Sequence, residues 1–221
     1  MKLVAVNIGK VVEQPWRDGT PTAINKETTK KRILLTEEGL QGDEQADRKN
    51  HGGHDKAVLV LPSSTYMRFE IEHPYGFLGE NLTLEGIDES EVCLGDRFQI
   101  GTTLLEVSQP RSPCWKLDQQ VLDNRRWKQG DFLKAYSDSG HVGFYCRVLG
   151  RGTLKKGQQV IWLTRNGECS KVQRLTIREL FLAKYFQKGE NPMQILEQAA
   201  RHPSISKAWK TELLKLLEAA K

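Results

Sequence analysis

Residues Asp96–Val107 read DRFQIGTTLLEV. Two short runs rich in apolar and β-forming side chains, Asp96–Ile100 and Thr103–Val107, stand on either side of Gly101-Thr102. The pattern predicts two strands joined by a tight hairpin over Ile100–Thr103. The same texture recurs outward in both directions. Leu3–Ile8, Lys56–Leu61, Gly143–Leu149 and Gln158–Leu163 are further short strand-like runs bounded by Gly, Pro or Asp. Many short strands separated by turn signals predict a mainly β, barrel-like or sandwich core up to about Thr164. Helices interrupt it at Ser63–Glu72, capped by Ser63 or Ser64, and from about Asn124 to Ala135. The connections are longer than hairpins need, and such loops are where function concentrates.

After Arg165 the texture changes. Asn166–Lys171 is a polar linker. Thr176-Ile-Arg-Glu179 is a capping box that opens a helix with Ile177, Leu180, Phe181 and Tyr185 on its apolar stripe. Asn191-Pro192 supplies an N-cap and a first-turn proline for a second helix ending near His202-Pro203. Ser206 caps a third, with Trp209, Leu213, Leu216, Leu217 and Ala220 on one face. The chain therefore divides into a β-barrel-like part, residues 1–165, and a small three-helix unit, residues 166–221.

Composition sets limits on function. The chain has 221 residues, 38% hydrophobic and 28% charged, which is globular composition for one large domain with an appendage. No apolar stretch approaches the roughly 18 residues of a membrane span. Met1–Lys10 is too interrupted for a signal peptide, so a cytoplasmic protein without membrane contact is expected. Cysteines at 93, 114, 146 and 169 form no C-x-x-C pair, which argues against a zinc ribbon, a thioredoxin-type centre or a disulfide framework. The net charge is +5, from 33 basic and 28 acidic residues. Ten basic against six acidic residues between 167 and 221 place +4 of it in the tail. So thin an excess, without interleaved aromatics, argues against nucleic-acid binding.

The opening strand runs on into Val107–Lys116, VSQPRSPCWK. Ser112 is a strong N-cap residue and Pro113 suits the first helical position, so Cys114 is expected as the second residue of a helix reaching Val121. A helix N-terminus, Arg111 and Lys116 all favour thiolate over thiol. A thiolate is both a nucleophile and a soft metal ligand, and the residues alone leave both open. A nucleophile would take His51, His54 or His141 as its base. Cys93 and Cys146, in apolar settings, read as core residues, and Cys169 as a surface thiol of the linker. Asn50–Asp55, NHGGHD, places two histidines in a glycine-rich loop. It reads as metal ligation, an anion-binding turn or a turn needing positive φ. Phe77–Leu82, FLGENL, puts Glu80 and Asn81 at a strand entrance.

Taken in chain order, Thr22–Lys26 (TAINK), Gly39–Asp47 (GLQGDEQAD), His51–Ala57 (HGGHDKA), Gly79–Asn81 (GEN) and Ser108–Cys114 (SQPRSPC) resemble the MOSC-domain family. That domain was first named from the C-terminus of molybdenum-cofactor sulfurase. The resemblance is strongest to the YiiM-like bacterial subgroup, which has a similar three-helix tail, and it covers essentially the whole chain. It implies a β-barrel-like core and a molybdenum cofactor, in which a pterin dithiolene holds the metal. It implies Cys114 as the protein ligand to molybdenum, with Lys26, His51, Gly79, Glu80, Asn81, Arg111 and Ser112 as cofactor-binding residues. Arg111, Lys26, Ser112 and the His51 loop would meet the pterin phosphate, and Asn81 the pterin or the oxo group. Thr22-Ala23 stands where mitochondrial-type relatives carry a Lys-Ser pair, leaving Lys26 as that segment's cation.

The implied activity is reduction of small N-hydroxylated substrates, including hydroxylaminopurine-type base analogues. Because the family also includes sulfur-handling domains, a carrier of the cofactor or of a persulfide on Cys114 is the alternative. The sequence carries no flavin, haem or iron–sulfur signature, so electrons are expected from a separate reductase. The mildly basic tail is a candidate docking surface for it. A lid or a homodimer contact are the tail's other readings.

Overall fold

The computed structural model describes residues 1–17, 19–47, 52–122, 126–164 and 174–220. Its central hairpin joins β9 (Arg97–Ile100) to β10 (Thr103–Pro110), with Ile100 opposite Thr103 and Phe98 opposite Leu105. Gly101 makes the turn at φ +60°, where a side chain would be strained and a Cβ would lie 2.3 Å from the Thr153 carbonyl oxygen.

The sheet grows from this hairpin on both sides. β10 pairs with β11 (Phe144–Gly150), and β11 with β7 (Val58–Pro62). β7 runs parallel to β8 (Leu82–Glu85), which pairs with β1 (Lys2–Ile8). β4 (Glu27–Thr28) flanks β1, and β13 (Val160–Thr164) flanks β9, completing eight strands. The Leu3 N–H donates to the Gln158 carbonyl and the Gly157 N–H to that of Leu3, so the first strand reaches the segment leading into β13. The sheet thus curls around one interior. A small sheet of β5 (Ile33–Thr36), β6 (Gly39–Leu40) and β12 (Gly152–Leu154), and a ribbon of β2 (Val12–Gln14) and β3 (Thr20–Thr22), complete a mainly β fold.

Strand alternation divides the core. On β7, all of whose residues are buried, Val58 and Val60 join Phe98, Leu105 and Phe144 inside the curl. Leu59 and Leu61 join Phe69, Phe132 and Phe181 beneath an outer layer of helices. A strand buried on both faces reads as an unbroken apolar run, as VLVLP does. Cys146 lies in the inner cluster and Cys93 is also buried.

There are six described helices: α1 (Ser64–Arg68), α2 (Trp115–Val121), α3 (Asp131–Ser139), α4 (Ile177–Phe186), α5 (Pro192–Arg201) and α6 (Lys207–Ala219). Three differ from expectation. α1 stops early because Glu70 adopts φ +50°. α3 starts at Asp131, after Gly130 in the left-handed region. Its first N–H groups are satisfied from α2, where the Asp118 carboxylate accepts from the Gly130 and Leu133 N–H groups. The Asn124 start lies outside the described residues. α2 begins at Trp115, so Cys114 is its extended N-cap residue rather than a residue inside it. The Ser112 hydroxyl is instead engaged by Tyr185 Oη at 2.8 Å, so it does not cap this helix.

In the tail, Thr176 and Glu179 form the reciprocal capping box, Asn191 accepts from the Gln194 N–H, and Ser206 from the Trp209 N–H. Ile177 belongs to the inner core, Phe181 to the outer one, and Leu180 to a third cluster with Leu94 and Trp209. The linker Asn166–Lys171 with Cys169, and the boundary at 165, lie outside the described residues. No described helix is long and apolar enough to cross a membrane.

Gly101→Ala should lower stability by more than the roughly 1–2 kcal/mol of a left-handed non-glycine residue, because Thr153 blocks the Cβ. Urea unfolding should show a lower midpoint at unchanged slope.

Candidate functional site

β10 ends at Pro110, and the chain turns there. The Arg111 N–H donates to the Gly143 carbonyl at 3.0 Å, which draws the turn against the start of β11. Arg111, Ser112 and Cys114 consequently face a cleft at this end of the sheet. It is also lined by Thr22 at the end of β3, by Ala23 and Lys26 just after it, and by Gly79 and Asn81, which precede β8. Lys56, Lys116 and Tyr145 complete the cationic and aromatic lining.

Arg111 is 5% exposed, and its Nη1 has no hydrogen-bond partner among the described residues. A guanidinium buried this deeply costs free energy until an anion or acceptor meets it. Gly79 is required by its own backbone and by Ile24 across from it. A Cβ on Gly79, at φ +87°, would stand 3.1 Å from Ile24 Cγ1 and 3.6 Å from Arg111 Nη2.

Asn81 is fixed at both ends. Its Oδ1 accepts from the Leu59 N–H at 3.0 Å, and its Nδ2 donates to Asp43 Oδ2 at 2.8 Å. Asp43 also accepts from Lys26 Nζ at 2.5 Å and from the Gly9 N–H at 2.7 Å. Both partners of the Lys26–Asp43 pair are buried, with side chains 7% and 6% exposed. Lys26 therefore reaches the cleft through Asp43, with its charge already matched. Lys56 is different: burial pushes its ammonium pKa down, with Glu212 of α6 pulling it back up.

Of the residues singled out in the sequence, Lys26, Gly79, Asn81, Arg111, Ser112 and Cys114 are brought together. Glu80 is not among the lining. It is fully buried and accepts from Tyr66 Oη at 2.9 Å, the Gly76 N–H at 2.7 Å and Thr83 Oγ1 at 2.9 Å. It clamps the loop that presents Gly79, and burial pushes its carboxyl pKa up against the pull of the Gly76 N–H. His51 lies outside the described residues. His54 is exposed beside Glu38, and His141 is buried against Glu89 at 2.9 Å; neither lines the cleft, so neither stands as a base for Cys114. Ser112 Oγ is 2.8 Å from Tyr185 Oη on α4, a bond to the tail instead of a helix cap.

Sequence reading named Lys116 beside Cys114 but passed over Asp43, Lys56 and Tyr145. Asp43 and Lys56 had a signal, since they lie in the quoted GLQGDEQAD and HGGHDKA segments. Tyr145 had none, because it sits inside an apolar strand.

Replacing Lys26 by Met should leave the Asp43 carboxylate uncompensated and cost about 3–5 kcal/mol in urea unfolding. Adding Asp43→Asn should recover much of that loss.

A model of the MOSC domain matches residues 47–161. The chain is 31% identical over 219 residues to the uncharacterized protein YflK of Bacillus subtilis (strain 168), covering 96% of this chain and 93% of that one. It is 38% identical over 158 residues to protein YiiM of Escherichia coli (strain K12), covering 68% and 67%. A protein of Gibberella moniliformis named reductase is 32% identical over 171 residues, 74% of this chain and 29% of its own length. The crystal structure of YiiM from Geobacillus stearothermophilus superposes with a TM-score of 0.75 at 29% identity, covering 98% of each chain. The chain belongs to the MOSC domain family.

Proposed function

We propose that the protein is a molybdenum-cofactor-dependent oxidoreductase that reduces N-hydroxylated compounds, hydroxylaminopurine-type base analogues among them. MOSC domains are associated with molybdenum-cofactor binding, and the reductase-named relative is consistent with an enzyme. The observation that carries the reading is Arg111, a buried cation whose Nη1 has no partner among the described residues, in the cleft that also presents the Cys114 thiol. The residues fit the group. A thiolate is a soft donor suited to a sulfur-bound metal, whereas carboxylates would suit magnesium or calcium. Arg111, Lys56 and Lys116 offer the charge a pterin phosphate needs.

When bound, the cofactor supplies the two-electron chemistry that side chains lack. The chain's own contribution is binding and orientation. Cys114 offers its sulfur from the extended residue before α2. Arg111 meets the anionic end of the group. Asn81, held by Leu59 and by Asp43 with Lys26, presents a fixed amide to the pterin side. A separate reductase provides electrons, with the three-helix tail as its docking surface.

Protein made in cells that build the cofactor should carry near-stoichiometric molybdenum and a fluorescent oxidised pterin. With reduced viologen as donor it should reduce an N-hydroxylated purine. Cys114→Ser should lose both metal and activity. Wild-type protein lacking both molybdenum and pterin would sink this reading. Molybdenum retained without reduction would replace it by the carrier alternative.

A further inference from the structure

Tyr145 lies on β11 between Phe144 and Cys146, whose side chains belong to the inner core. Strand alternation sends its own ring the other way, into the outer apolar cluster. The residue is 8% exposed and lines the cleft beside Arg111, Cys114 and Leu59. Buried hydroxyls in folded proteins are nearly always hydrogen-bonded. Two other buried tyrosines obey this: Tyr66 Oη donates to Glu80, and Tyr136 Oη to the Val142 carbonyl at 3.0 Å. Tyr145 differs: it lines the open cleft, and its Oη makes no hydrogen bond to a protein group among the described residues. A phenol so placed is a donor waiting for an acceptor in the cleft. Burial pushes its pKa up, with the Arg111 cation pulling the other way.

Within the reductase reading, we infer that Tyr145 is the hydrogen-bond and proton donor to the oxygen that leaves an N-hydroxylated substrate. The overall change is R–NH–OH + 2 e⁻ + 2 H⁺ → R–NH₂ + H₂O. The N–O bond breaks, the nitrogen is reduced, and the electrons come from the separate reductase or from reduced viologen. Departure of hydroxide is unfavourable, so a proton delivered to that oxygen as the bond breaks lets it leave as water. Tyr145 supplies that proton, and solvent supplies the nitrogen's. Solvent then restores the phenol, and the neighbouring Arg111 cation offsets the phenolate charge meanwhile.

Tyr145→Phe keeps the ring and removes only the hydroxyl. It is made as the full chain in cofactor-building cells, beside wild type. Two substrates are compared: an N-hydroxylated amine and its O-acetylated counterpart, whose acetate leaves without a proton. The variant should keep wild-type molybdenum and pterin content. Its kcat on the N-hydroxylated amine should fall by about 100-fold or more, with KM little changed. On the O-acetylated compound kcat should stay within a few-fold of wild type. An undiminished kcat on the N-hydroxylated amine overturns the inference, as does an equal loss on both substrates. Loss of molybdenum and pterin from the variant also overturns it, assigning Tyr145 to the cofactor's seat. If loaded wild type reduces neither compound, the reductase reading itself falls.

Discussion

A guanidinium buried at the end of a strand is the constraint around which the site is organised. Arg111 is 5% exposed, and its Nη1 has no hydrogen-bond partner among the described residues. Burial opposes its charge, while Tyr136, Tyr145, Cys114 and Glu80 pull the other way. Its neighbours make sense in that light. Gly143 anchors its backbone, and Cys114 and Tyr145 lie within its electrostatic reach. An anionic ligand in the cleft would give the open nitrogen its partner.

The rest of the fold holds that end of the sheet still. Glu80 is buried to clamp the 76–80 loop, and Asp43 gathers Lys26, Gly9 and Asn81 onto one carboxylate. The tail is joined to the same region. Asp55, in the loop that carries Lys56, accepts from Arg147 and from the Lys207 N–H that opens α6. Arg147 in turn donates to Glu106 and to the Ser204 carbonyl. Ser112 and Tyr185 make a second link, and Ile177 enters the inner core. The three helices are built against the wall of the cleft.

Much of the fold was legible because it follows local rules. The DRFQIGTTLLEV hairpin needed only strand composition and a glycine at φ +60°. The tail caps at Thr176, Asn191 and Ser206 use side chains to satisfy N–H groups three residues on, which is a local geometry. Local rules failed where the partner was distant. α3 begins where Asp118 of another helix caps it, and Ser112 bonds Tyr185, 73 positions away, instead of starting α2.

The amino-acid sequence by itself determined the strands, the caps, the family's motif segments and the presence of a thiol among cations. Those depend on residue type and short spacing. Only the tertiary structure decided which of these residues share a cleft, that Glu80 clamps a loop while Lys26 is already matched by Asp43, and that Tyr145 faces Arg111. The reason is physical. Burial and pairing of a polar group depend on what packs against it from elsewhere in the chain, and periodicity along one strand cannot report which neighbour that is.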